Sequence, residues 1–523
     1  MYKRDEYPQI EYRVREKPPH PQTAPFYQGL LDSIPRGSWL RAHRKLIVVA
    51  SVSALTLTVV LFALLSTSEV EDANFSRLVK RDIFYNSAAE VEVNKVKKRD
   101  TFIEEADIMA ARYDYEGAIA HIASWQDYEN DDEMLAKIDG YRATMATLVP
   151  VDIYEVTHIF YHSLIVDPER AFAEHDYDAQ SRGLNQWMTT MAEFNMITQE
   201  MYERGFVLVS IHDLVHETTD ENGRAIFEPG TIMLPPDKKA FVLSIDDVSY
   251  YHTNDGYGMA NKLVINDAGD VVSEYLAEDG SVRYGAYDIV PLLDQFIDMH
   301  PDASYKGAKG IIALTGYNGV LGYRTDETYD INHSQIDGQQ RAFLQHNPSF
   351  SLESERSIAK EVADAMKADG WEFASHTWGH LKAGDDPLGY LVDDTERWMR
   401  NVEPIVGATD VMIWAFGQDV QFWGEYNLGE AKLAHFMANG FRIFCGVSSE
   451  PYNVILTPDY LRMRRRNIDG YRIYFNSIGV ADDLWDLFDP MEVLDPLRPP
   501  VSEISSPKTD DAAANEPPLD EPE

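Results

Sequence analysis

From about residue 150 the chain alternates short apolar runs with amphipathic stretches, and that rhythm sets its layout. Strands are predicted over Val156–Tyr161, Phe206–Ile211, Phe241–Ile245, Gly310–Leu314, Trp371–Ser375, Val411–Phe416, Phe441–Cys445 and Tyr471–Phe475. Between most of them apolar positions recur at helical spacing, as in Trp187–Arg204, Ile289–Met299, Ser357–Ala368 and Glu430–Ala438, several ending at Gly or Asp-Gly stops. Repeated strand–helix alternation implies an α/β fold, a parallel sheet covered by helices, either open or closed into a barrel. Two stretches break the rhythm. Residues 262–286 carry the turn signals Asp267-Ala268-Gly269-Asp270 and Asp279-Gly280 and read as a hairpin excursion, whereas 325–353 are polar and irregular.

The pattern differs on either side of this region. Residues 1–45 mix Pro, Tyr, Arg and Glu without periodicity and read as a disordered cytoplasmic tail. Leu46 to Leu65 is an uncharged apolar run, long enough to cross a bilayer as a helix. Arg41, Arg44 and Lys45 precede it and Glu69, Glu71 and Asp72 follow. The positive-inside rule then predicts a single-pass anchor over 46–66 in a bacterial cell membrane, N-terminus inside and the rest extracellular. Helical periodicity over 67–149 predicts a helical spacer, with one stretch, AARYDYEGAIAHI, like the turn of a tetratricopeptide repeat. Residues 150–490 form the main domain, and the Pro-, Asp-, Glu- and Ala-rich 491–523 reads as a disordered tail.

Charge and cysteine narrow the options. With 87 Asp and Glu against 46 Lys and Arg, a net charge of −41 leaves no basic field for nucleic acid. The lone Cys445 excludes an intrachain disulfide.

Three His-x-x-x-His pairs occur, so the spacing alone marks no site. His158 and His162 fall in a strand-like run, where residues four apart stand too far apart to chelate closely. His212 and His216 lie in an acidic segment that reads as an exposed turn. His376 and His380 start where the run WEFAS ends, and a helical turn there would aim both imidazoles at one ion. Asp246 and Asp247 end their own run, AFVLSI, at the strand edge where sites of parallel β/α folds assemble. Neighbouring residues of a strand point to opposite faces, so the strand must end or bulge for both carboxylates to converge. This combination points to metal-assisted hydrolysis. The stretch GYNGVLGYRT (316–325) lacks the Lys-Ser/Thr ending of a phosphate loop and reads as a tight loop near the site.

Ser244-Ile245-Asp246-Asp247 together with His376-Thr377-Trp378-Gly379-His380 resembles the paired motifs of polysaccharide deacetylases of the NodB-homology type, over roughly residues 150–490. The resemblance implies a deformed (β/α)7 barrel that removes acetyl groups from N-acetylated sugars, a hydrolase acting on carbon–nitrogen bonds other than peptide bonds. By the same resemblance Asp247, His376 and His380 bind a divalent ion, zinc by default, and Asp246 is the general base. Its substrate would be an N-acetylated polysaccharide, peptidoglycan or an exopolysaccharide. Tyr317, Asn318 and Phe416 are placed at the substrate. Two departures stand out. Phe416-Gly417 matches a third family motif, but the arginine that orients the catalytic aspartate is missing from it, and the basic cluster Arg462, Arg464, Arg465 and Arg466 is the candidate source of that cation. No histidine matches the family's last motif, which leaves His162 and His252 as candidate proton donors. These gaps also motivate a second reading, a glycan-binding or scaffold protein on a barrel that has lost turnover.

Overall fold

The computed structural model describes residues 97–173 and 177–501. Seven parallel strands close into a barrel: β1 (Thr157–His162), β2 (Lys239–Asp246), β3 (Ile311–Leu314), β4 (Glu372–Ser375), β5 (Val411–Ile413), β6 (Ile443–Val447) and β7 (Leu461–Asn467). Each pairs with the next in chain order, and β7 returns to β1 through Arg466↔Ile159 and Asn467↔Phe160. The ring is thinnest at β4–β5, joined only at Ser375↔Met412. A further short strand, Phe206–Leu208, runs parallel beside the start of β2, which frees the far end of β2 to pair with β3.

Strand periodicity sorts the side chains. On β2, Ala240, Val242, Ser244 and Asp246 face the barrel interior, while Phe241, Leu243 and Ile245 face the helices. The interior is filled by small and β-branched residues such as Ala313, Ala374, Val411, Ile413, Ile443 and Cys445. Outside, helices Met191–Glu203, Ile289–Met299 and Leu352–Ala368 press Phe194, Ile197, Leu293, Ile297, Val362 and Met366 onto the sheet. Their starts are fixed by side chains that take up free N–H groups: Thr190 forms a capping box with Glu193, and Asp288 and Ser351 cap the other two.

Several sequence expectations are corrected. The apolar stretch Tyr471–Phe475 lies in a helix, Gly470–Ser477, and the last strand is the arginine-rich LRMRRRN. The predicted helix Trp187–Arg204 starts later, at Met191–Glu203, and Trp187 instead ends a preceding helix, Ala179–Trp187. Residues 262–286 form a three-stranded antiparallel sheet, Lys262–Ile265, Val271–Leu276 and Val282–Gly285, and the irregular region contains the helix Gly338–His346. No helix among the described residues is long and apolar enough to cross a membrane, and the run over 46–66 lies outside them. The fold class is therefore a (β/α)7-type barrel, with no membrane-crossing helix before it among the described residues, and the membrane anchor, membrane partnership and cell-membrane location are withdrawn.

Before the barrel come helices over 97–111, Tyr115–Ala123 and Asp132–Met145, with a small core of Ala106, Ile122, Met134 and Ile138. Tyr113 ties this unit to the barrel, its hydroxyl donating to the Asp302 carbonyl at 2.9 Å. At the other end the chain stays packed through Val501. Arg498 is fully buried there, donating to the equally buried Glu193 at 2.8 Å through Nε and to the Asn185 carbonyl.

The N-terminal end of the barrel is braced by His212, whose Nδ1 lies 2.7 Å from Glu372 and whose Nε2 lies 2.9 Å from Asp410. His212 and His216 are thus not paired in a site. Burial disfavours the His212 cation, but hydrogen bonds to Asp410 and Glu372 outweigh it and raise the pKa to about 10. A folded pKa above the ordinary value means a stabilising contribution complete below about pH 6.5 and lost as pH rises toward 10. His212→Gln is expected to lower the melting midpoint most at pH 6, with the difference from wild type closing by pH 10. A difference independent of pH would contradict this assignment.

Candidate metal centre

The C-terminal ends of the strands converge on four predicted residues. Asp246 ends β2 on its inner face, and Asp247 follows with φ +61°. That left-handed turn brings both carboxylates to one site, the strand ending that adjacent aspartates require. The His376–His380 segment is a loop, not the expected helical turn; Thr377 and His380 also have positive φ, +61° and +57°. Asp394, from helix Leu388–Asn401, accepts the N–H groups of Trp378 and Gly379, each at 2.7 Å, and so pins the loop in that shape. Gly316 is needed on its other side, because a Cβ there would lie 2.2 Å from the Trp378 ring. Left-handed non-glycine residues cost energy and persist only where the surroundings impose them.

Asp247, His376 and His380 each offer one ligand atom, all within 4.8 Å of one another. The buried His376 donates through Nδ1 to the Ile413 carbonyl at 2.8 Å, which leaves Nε2 as a lone pair for a ligand. Burial, outweighing the pull of Asp247, pushes the His380 imidazole down to about 4, so it stands neutral at pH 7. One Asp247 oxygen accepts from the Tyr251 hydroxyl at 2.6 Å, and the other faces His380 at 3.7 Å. Tyr251 is held in turn by Thr315 and stacks on Tyr317. A carboxylate with two imidazoles is a donor set that suits a divalent ion.

Asp246 borders this cluster, one oxygen 3.8 Å from His376 Nε2, and belongs to a further buried network. Arg465, on the inner face of β7, donates to both its oxygens at 2.6 and 3.0 Å and to Ser244 Oγ at 3.0 Å. Arginine only donates, so Ser244 accepts from it and directs its own hydrogen to His158 Nε2, 3.0 Å away. His158 is thereby a buried neutral residue of the barrel interior, its pKa lowered by burial and by Arg465. Burial also opposes the Asp246 charge, but Arg465 and His376 outweigh it and hold the carboxyl at about 2. The cation paired with Asp246 thus comes from β7, from the cluster named as its candidate source. A strand of four arginines reads as a solvated turn, and the cue to the contrary is its alternation, Leu461, Met463 and Arg465 on one face.

The remaining candidates separate. His162 ends β1 in register with Asp246, its Nε2 4.0 Å from Asp247. His252 is engaged by Asp255 and the rings of Phe343 and Tyr329, not by the ligand cluster. Asn318 is buried, its side-chain oxygen taken by the Tyr329 hydroxyl. Tyr317 borders Tyr251, and Phe416, 56% exposed at φ +56°, stands 4.2 Å from the His380 ring.

No protein-family model matches the sequence, and no curated protein does. A search of solved structures matches Streptococcus pyogenes deacetylase PplD in complex with acetate, at 13% identity, over 67% of this chain and 100% of that one, with a TM-score of 0.30. So slight a likeness carries no argument. The expected identification as a membrane-anchored bacterial polysaccharide deacetylase is corrected accordingly: these comparisons show no family, and the anchor is withdrawn. The barrel and its Asp-His-His cluster stand on their own geometry, and that cluster supports metal-assisted hydrolytic chemistry in general terms.

Titration with a divalent ion is expected to show one site per chain, weakened more than about 100-fold by His376→Ala or Asp247→Asn. Tyr251→Phe removes only the hydroxyl that orients Asp247 and is expected to weaken binding about 10- to 100-fold. Unchanged affinity in all three variants would rule the cluster out.

Proposed function

We propose that this chain is a metal-dependent hydrolase that removes acetyl groups from N-acetylated sugars, with Asp246 as general base and His162 as proton donor. The observation that carries the reading is the division of labour between adjacent aspartates. Asp247 faces the histidines, while Asp246 is clamped by Arg465 and kept charged.

A divalent ion, zinc by this reading, held by Asp247, His376 and His380 would polarise the acetyl carbonyl and acidify a water. The residues of the chain supply the rest. Asp246, ionised throughout the neutral range, accepts the proton of the attacking water. Arg465 fixes both its oxygens, so the base meets the water in one orientation. His162, its Nε2 4.0 Å from Asp247, lies near enough to the ligand cluster to deliver a proton to the departing sugar amine. Phe416, over His380, shields one side of the site from water.

With zinc present, the protein is expected to release acetate from N-acetylglucosamine oligomers. Asp246→Asn should lower kcat by about 10³-fold and His162→Gln by about 10²- to 10⁴-fold, with metal affinity retained in both. Acetate release that survives Asp246→Asn or chelation would contradict the reading; so would full activity in His162→Gln for the proton donor.

A further inference from the structure

Two arginines of β7 face the same loop, and only one of them is satisfied. Arg462 is fully buried and builds the loop: it donates to Asp419 at 2.8 Å and to the carbonyls of Gln421, Phe422 and Gly424. Arg464, two positions on, lies on the same outward face. Its guanidinium stacks on the Trp423 ring at 4.5 Å and has no hydrogen-bond or ion-pair partner among the described residues. Burial and the neighbouring Arg462 disfavour its charge, offset only in part by Asp419 and Tyr426. On the other side of Phe416, Lys382 holds its ammonium 5.2 Å over that ring, likewise without a partner among the described residues. In a chain with 87 acidic residues against 46 basic ones, two such cations bordering one patch call for an anion from outside.

The segment 415–424 that carries these rings also opens two aromatic side chains to solvent. Phe422 is 99% exposed and Phe416 56% exposed. Arg464 is continuous with the metal centre: it pairs in register with Gly446, which lies against Gly417, next to Phe416, and the following residue is Arg465 on Asp246. Exposed aromatic rings offer flat apolar faces to pyranose rings, and a guanidinium fork fits a carboxylate bidentately.

We propose that Phe416, Phe422, Trp423, Arg464 and Lys382 form a subsite for a carboxylate-bearing sugar adjacent to the one that is deacetylated, so that the substrate is an acidic N-acetylated glycan. This rests on the deacetylase reading for the neighbouring site, but its binding contrast does not depend on turnover.

The test uses the full chain loaded with zinc and carrying Asp246→Asn, titrated by tryptophan fluorescence with three tetrasaccharides. One alternates N-acetylglucosamine with N-acetylmuramic acid, the second is the same compound with its lactyl carboxylates amidated, and the third is the neutral N-acetylglucosamine tetramer. The acidic ligand is expected to bind about tenfold more tightly than its amide. Arg464→Gln should abolish that contrast and Arg464→Lys keep part of it, while Phe422→Ala, at a fully exposed position that folding does not depend on, weakens all three ligands. Equal affinity for acid and amide in the Arg464 protein, or an equal loss for both in Arg464→Gln, would overturn the proposal. Acetate release by the Asp246 protein is recorded in parallel. A carboxylate contrast without acetate release would retain the subsite and overturn the deacetylase reading, and acetate release without the contrast would do the reverse.

Discussion

The buried pair of Asp246 and Arg465 is the constraint on which the rest of the site depends. Both side chains are almost completely withdrawn from water, at a desolvation cost that only a close, bidentate, doubly supported geometry offsets. Removing either partner would strand a charge inside the barrel, at a cost of about 3–5 kcal/mol. The pair also spans the barrel interior, joining β2 to β7 across β1, and carries Ser244 and His158 with it. The Asp246 carboxylate is thereby held in one orientation beside the Asp247, His376 and His380 cluster.

Much of this was legible in the chain, and the failures have physical causes. Asp246-Asp247 and His376/His380 could be read because both follow alternating apolar runs whose C-terminal ends must meet at one rim of a parallel barrel. The loop conformation of 376–380 could not, since a His-x-x-x-His spacing fits a helical turn equally well; what decides against it is Asp394, which captures two N–H groups from a helix begun well downstream. β7 was missed because arginine signals solvent until its partners are known, and those partners, Asp246, Asp419 and Asp486, lie far away in sequence. Conversely, YRIYF reads as a strand by composition, yet it is helical because Asp469 caps its first turn.

The same arginine strand divides its work by face and position. Inward, Arg465 clamps Asp246. Outward, Arg462 is saturated by Asp419 and loop carbonyls, and Arg466 holds Asp486 and the Asp483 carbonyl, so both keep loops in place. Arg464 alone of the four lacks such a partner among the described residues, and it borders the exposed aromatic rings beside the site. Loop shape, charge and aromatic display around the metal centre thus derive from one strand, and the residues that pattern recognition discounts as a basic turn are those that define the site.

Anomalous diffraction from a zinc-soaked crystal tests the central claim most directly. The account predicts a single strong peak bounded by Asp247 Oδ2, His376 Nε2 and a nitrogen of His380, with Asp246 still paired to Arg465. A peak elsewhere, or one that draws Asp246 away from Arg465 to become a ligand, would contradict it.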